Sequence, residues 1–135
     1  MKVLIVEPNK IPYEKNIENN LETLQEIVGG MIQITYPYED LVGIVCNDEG
    51  KLMGLPLNRS LPESADIIAG TFIICGLSET DLASLNKEQI EKFYNRFKGP
   101  EQFMIGREGV GVIKHPAPDY KEFCKLKNKI IDRER

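Results

Sequence analysis

The opening run Lys2-Val3-Leu4-Ile5-Val6 is the feature that most narrows what this chain can fold into. A strand sends successive side chains to opposite faces, so four apolar residues in a row need cover on both sides of their sheet. Two later segments have the pattern to supply it. In the first, Asn19 serves as N-cap with Glu22 reaching back, Leu21, Leu24, Ile27 and Val28 form an apolar stripe, and Gly29 gives a left-handed stop. The second spans Lys87 to Phe97, with Asn86 and Gln89 as the cap, Ile90, Phe93, Tyr94 and Phe97 as the stripe, and Gly99-Pro100 as the end.

Other short runs fill the sheet. Pro8 and Pro12 force a turn before an extended piece reaching Ile17. Met31 to Tyr36 alternates, with Ile32, Ile34 and Tyr36 on one face, and Leu41 to Cys46 is rich in β-formers. Asn47-Asp48-Glu49-Gly50 reads as a hairpin turn into Lys51-Leu52-Met53, with Gly50 at positive φ. The prolines make Gly54 to Pro62 a loop, and Asp66 to Cys75 is an apolar run for the sheet interior. The expected class is α/β (α+β), a mixed sheet of about five strands with two packed helices. That core occupies residues 1–99. A C-terminal extension, 100–135, carries a glycine-rich piece from Gly106 to Gly111 and a helix from about Asp119 to Ile131, packed on the core.

Composition bounds the function classes. A chain of 135 residues suits one domain, and 41% hydrophobic with 28% charged residues is ordinary globular usage. No apolar stretch approaches the roughly 20 residues a bilayer span needs. Met1 to Glu7 is too short for a signal peptide's apolar core, so a cytoplasmic protein is expected. Cys46, Cys75 and Cys124 are scattered and odd in number, which suits reduced core thiols better than disulfides or a zinc site. Residues 1–85 hold 5 basic and 13 acidic groups, a balance of -8, and residues 86–135 hold 12 and 8, a balance of +4. Attraction between unlike halves makes a homo-oligomer through the C-terminal helix one expectation, with Tyr120, Phe123, Cys124 and Ile131 as its apolar positions.

No catalytic or metal-binding constellation emerges. His115 is the sole histidine, which excludes any scheme needing two. Gly106-Arg107-Glu108-Gly109-Val110-Gly111 lacks the following helix that a phosphate cradle requires, and reads as a hairpin or loop. Asp48 with Glu49, and Glu39 with Asp40, are sequence neighbours whose side chains diverge on a strand or turn. The basic tail, Lys121, Lys125, Lys127, Lys129, Arg133 and Arg135, is interleaved with Asp119, Glu122, Asp132 and Glu134, so a nucleic-acid partner is not expected. No enzyme activity and no cofactor is expected.

The candidate site is Asn58-Arg59, between Pro56 and Pro62, with Asn47 and Thr71 as neighbours. An arginine fork beside an amide suits a phosphate or carboxylate, and Tyr36, Tyr38 or Phe72 would supply stacking. A second reading has Asn58 capping the loop's own backbone and Arg59 paired with Asp66 or Asp48.

The segments Cys46-Asn47-Asp48-Glu49-Gly50-Lys51-Leu52, Gly54-Leu55-Pro56-Leu57-Asn58-Arg59 and Asp66-Ile67-Ile68-Ala69-Gly70-Thr71 together resemble a domain-of-unknown-function family of short proteins from phages, plasmids and conjugative elements. The likeness covers roughly residues 1 to 97 and leaves the tail after Gly99 unmatched. It implies a genomic setting and no mechanism. In such a setting the expected function is non-catalytic: binding a small nucleotide-derived anion, as an anti-defence sequestering protein does, or alternatively inhibiting a host protein by direct contact. An uncharacterised enzyme is the remaining alternative.

Overall fold

The computed structural model describes residues 1–133, with side chains through Lys129. Arg135 and Glu134 of the tail lie outside the described residues, as do the side chains of Ile131, Asp132 and Arg133. The fold is α+β. Its main sheet contains β1 (Lys2–Val6), β2 (Tyr13–Asn16), β3 (Ile32–Thr35), β4 (Val42–Asn47), β7 (Phe72–Leu77) and the short β8 (Leu82–Ala83). The strand order is β2-β1-β7-β4-β3, β8 pairs the end of β7, and every pairing is antiparallel. Two further pairs stand apart: β5 (Leu57–Leu61) with β6 (Asp66–Ala69), and β9 (Glu101–Gly106) with β10 (Gly109–Lys114).

The cover that β1 demands is present on both faces. Val3 and Ile5 join Val45, Ile73 and Cys75 beneath α1 (Leu21–Val28), which contributes Leu24 and Val28. Leu4 and Val6 join Val42, Ile44, Phe72 and Ile74 on the other face. There they meet Ile90, Phe93, Tyr94 and Phe97 of α2 (Lys87–Phe97), together with Leu61 and Ile68 of the small β5–β6 pair. Each such side chain removed from water contributes about 1.5–3 kcal/mol.

Local chemistry explains both helix starts. Asn86 accepts from the Gln89 amide at 2.8 Å while the Gln89 side chain accepts from the Asn86 amide at 3.0 Å, the capping box expected there. For α1 the cap is Asn20, whose Oδ1 accepts from the Thr23 amide at 2.8 Å. Asn19, the expected cap, instead donates to the Leu82 carbonyl at 3.2 Å, tying the helix entry to β8. The helix ends as expected at Gly29, with φ 81°.

Three expectations about the middle of the chain are corrected. Residues 48–54 form successive turns and no hairpin, since β4 pairs with β3 and β7 and not with the residues after Gly50. Gly50 is absent from the positive-φ residues, and Gly54, with φ 70°, takes that role. A glycine is still required at 50, because a Cβ there would stand 2.7 Å from the Ala69 carbonyl oxygen. Leu57–Leu61 is a strand despite the flanking prolines, and both prolines lie outside its paired residues. The apolar run from Asp66 to Cys75 is broken at Gly70, φ 84°, so that β6 enters the small sheet and β7 the centre of the large one.

The extension continues as a hairpin and α3 (Tyr120–Arg133). The Tyr94 ring lies 5.4 Å from those of Tyr120 and Phe123, and the Asn95 side chain accepts from the Tyr120 amide at 2.8 Å. No helix among the described residues is long and apolar enough to cross a membrane.

Replacing Asn86 with alanine removes the side-chain acceptor of the Gln89 amide and leaves only the backbone bond from residue 86 to the Gln89 side chain. We expect a loss of about 1 kcal/mol in urea unfolding, with an unchanged m-value. The Arg96–Glu63 pair ties α2 to the turn after β5 through bonds of 3.1 and 3.0 Å. That contact from Arg96 holds the Glu63 carboxyl below its ordinary 4.5. Since the folded value is depressed, the stabilisation is complete above 4.5 and disappears as pH falls through the lower folded value. Both side chains are partly exposed, so Glu63→Gln should cost less than about 1 kcal/mol at neutral pH. The deficit relative to the natural chain should vanish in acid, which pH-dependent urea midpoints measure.

Candidate functional site

Asn58 and Arg59 sit in β5, and both are completely buried. An irregularity in the β5–β6 register falls between Leu57 and Arg59 and breaks the strict alternation that would send one of two neighbours to solvent. Asn58 Nδ2 donates to the carbonyls of Val6, at 2.8 Å, and Gly70, at 2.9 Å, which clamps the end of β1 to the turn between β6 and β7. Its Oδ1 accepts from Arg59 Nη1 at 2.8 Å. Arg59 Nε donates to Phe97 O at 3.0 Å and Nη2 to Lys10 O at 2.5 Å. Phe97 is the last residue of α2, where unpaired carbonyls and the helix dipole favour a cation.

Burial lowers the Arg59 guanidinium to about 10, and the negative charge of Glu101 opposes that shift, so the group stays ionised at neutral pH. Glu101 opens β9 at 4% exposure, and its Oε1 accepts from the Ser60 hydroxyl at 2.5 Å and the Ser60 amide at 3.2 Å. The expected open loop is therefore a buried polar junction. Neither of the partners expected for Arg59 is used: Asp66 pairs with Lys51 at 2.5 Å, in a largely exposed contact.

The other two expected site residues are held differently. Asn47, at 7% exposure, donates to the Val28 carbonyl at 3.2 Å and accepts from the Glu49 amide at 2.8 Å, so it ties the end of α1 to the turn after β4. Thr71 is half-buried and follows Gly70, whose carbonyl Asn58 binds. Asn47 hydrogen-bonds to none of the other three. Of the stacking candidates, Phe72 is buried edge-on against Phe97, Tyr38 lies against Phe93, and Tyr36 is exposed.

A cleft of about 360 Å³ opens between the turn after β4 and β6, lined by Gln33, Cys46 and Asn47 with Asp48, Glu49, Lys51 and Asp66. Three carboxylates against one lysine give it an acidic lining. Burial raises the Cys46 thiol and takes Cys75 up to about 11, so both stay protonated at neutral pH. His115 is exposed, with Nε2 3.0 Å from Gln102 Oε1. Among the described residues no group of three or more His, Cys, Asp or Glu is placed to hold a metal.

The surface that sequence reasoning passed over is the β9–β10 hairpin. Ile105 is 80% exposed, and Met104, Val110, Val112 and Ile113 are also exposed. Phe103 faces Val112 and Ile105 faces Val110 across the ladder, forming a continuous apolar strip. Consecutive apolar residues in both strands were the available signal, hidden by attention to the glycines between them.

Arg59→Ala should destabilise the fold by about 3 kcal/mol or more, because it leaves the Phe97 and Lys10 carbonyls and Asn58 Oδ1 buried without their charged donor. Arg59→Lys should recover little, since one ammonium on a flexible stem cannot reproduce the fork's fixed contacts. Urea unfolding of both variants measures this, and a folded Arg59→Ala of ordinary stability would contradict the structural role.

Comparison with known proteins gives one finding for the domain. No curated protein and no solved structure matches the chain. A family model described as a domain of unknown function, DUF3846, matches residues 1–98, from β1 through α2, and stops before the hairpin. Residues 1–98 carry the sheet, both of its covering helices and the Asn58–Arg59 junction, and by that match the chain belongs to the DUF3846 family.

Proposed function

We propose that this chain is a non-catalytic interaction protein whose contact surface is the β9–β10 hairpin. The phage and mobile-element setting implied by the family resemblance makes a protein in the host cytoplasm the natural partner class. One observation carries the proposal: Met104, Ile105, Val110, Val112 and Ile113 are all exposed, on a segment beyond the family domain. A two-stranded hairpin is only marginally stable in water by itself, and a contiguous apolar strip of this kind marks a contact surface. The basic residues at its end and beyond it, Lys114, Lys121 and Lys125, favour a partner whose apolar surface is edged with acidic groups. The absence of catalysis is part of the proposal. It is supported by protonated buried thiols and by a lone histidine engaged with a glutamine.

A second reading keeps a small ligand, as a sequestering protein would bind. The cleft beside Asn47 favours it, but the acidic lining opposes an anion, and Asn58 and Arg59 are closed to solvent with bonds of their own. Calorimetry against cyclic nucleotides and ADP-ribose derivatives tests it. Binding lost on Lys51→Ala would move this reading ahead.

For the interaction reading, the full chain and an Ile105→Lys, Val112→Lys double variant are immobilised and challenged with bacterial lysate and with the chain itself. Specific capture by the natural chain, lost in a double variant of unchanged circular dichroism, is the expected result. Equal capture by both would sink the proposal.

A further inference from the structure

Several strands pair on one side only among the described residues, and two of these edges, β3 and β10, are set apart by their near lack of charge. β3 terminates the main sheet and pairs only with β4, while β10 pairs only with β9. In each, every second residue turns its N–H and C=O outward, a template for another strand. The opposite edge of the main sheet is defended: β2 is exposed at all four positions and carries Glu14 and Lys15. β3, Ile32-Gln33-Ile34-Thr35, has no charge at all, and β10 has none before its terminal Lys114. Exposed apolar residues flank both, Met31 and Tyr36 around β3 and Val110, Val112 and Ile113 along β10.

Charge decides what each edge accepts. Residues 1–98 hold 9 basic and 15 acidic groups, a balance of -6, and residues 99–135 hold 8 and 6, a balance of +2. Gln33 of β3 lines the same cleft as Asp48, Glu49 and Asp66, so two β3 edges brought together would oppose two acidic rims. β10 runs into Lys114 and then the lysine-bearing α3. The uncharged strand with basic flanks fits the uncharged strand with acidic flanks, and within one protomer the two do not pair.

We infer that two copies of this chain exchange arms, β10 of each adding to the β3 edge of the other. The inference rests on the reading of the hairpin as the contact surface and puts a second copy of this chain, in place of a host protein, against its β10 edge. A reciprocal exchange closes on itself, covering the β3 and β10 edges of both copies in one twofold assembly.

Light scattering of the full chain should give twice the 15.3 kDa chain mass at micromolar concentration, shifting toward monomer at high salt. Gln33→Lys and Val112→Lys, both at exposed positions, should each weaken the dimer by about tenfold or more without changing the circular dichroism. Arrangement is read from Gln33→Cys and Val112→Cys, each with Cys124→Ser, treated with a short bis-maleimide. The other two cysteines are buried. Cross-linked dimer only when the two variants are mixed is expected. Cross-linking of Gln33→Cys alone would show edge-to-edge pairing of β3, and of Val112→Cys alone hairpin-to-hairpin pairing; either overturns the exchange. A monomer at every concentration also overturns it. If that monomer still captures another protein through Ile105 and Val112, the interaction reading stands without the exchange, whereas capture indifferent to both substitutions removes both.

Discussion

The fold closes around one buried cation. The Arg59 guanidinium binds the main chain at the turn after β1, through Lys10, and at the end of α2, through Phe97, while Asn58 beside it holds Val6 and Gly70. These carbonyls belong to elements far apart in the chain that meet at one corner of the sheet. A buried carbonyl without a donor is costly, and a buried charge without compensation more so. Each element therefore has to be in place for the corner to be satisfied. Hydrophobic packing on the two sheet faces supplies most of the driving force and is tolerant of small displacements. The arginine fork is not, which is how a polar group in a core specifies one arrangement among several of similar burial.

The same corner joins the family domain to the C-terminal extension. Glu101, the negative charge that favours the ionised form of Arg59, belongs to β9 and lies beyond the residues that the family model covers. Its bonds to Ser60 fasten the base of the hairpin to β5, and α3 is fastened separately by Tyr120 and Phe123 against Tyr94. The base of the extension is thus firmly seated, while Ile105 near the hairpin tip remains almost fully exposed. An arm with an ordered root and an apolar end suits a contact surface better than a linker, because little backbone entropy remains to be lost on binding.

Legibility in the sequence tracked the range of the interactions. The Asn86–Gln89 cap involves residues three apart and was readable to the residue, as was the left-handed stop at Gly29. At α1 the reading slipped by one because two asparagines compete, and the choice depends on Asn19 having Leu82 within reach. The fold class was readable because β1 could be buried only between two layers. Strand pairing was not. Gly50 looked like a hairpin glycine, yet its constraint is the approach of the Ala69 carbonyl from another strand. Pro56 and Pro62 pointed to a loop although the residues between them are a paired strand.

For the candidate site the division is sharper. The sequence by itself determined the two covering helices, the α2 cap, the left-handed stop at Gly29, the two-sided burial of β1 and the absence of paired histidines, all of which depend on residue type and short spacing. It also determined that Asn58 and Arg59 are unusual neighbours. Only the tertiary structure decided which way they face, since an arginine's role depends on whether water or carbonyl groups surround it. Here Lys10, Asn58 and Phe97 converge on it from three places in the chain, and a side chain that looked free to bind a ligand holds the protein's own backbone.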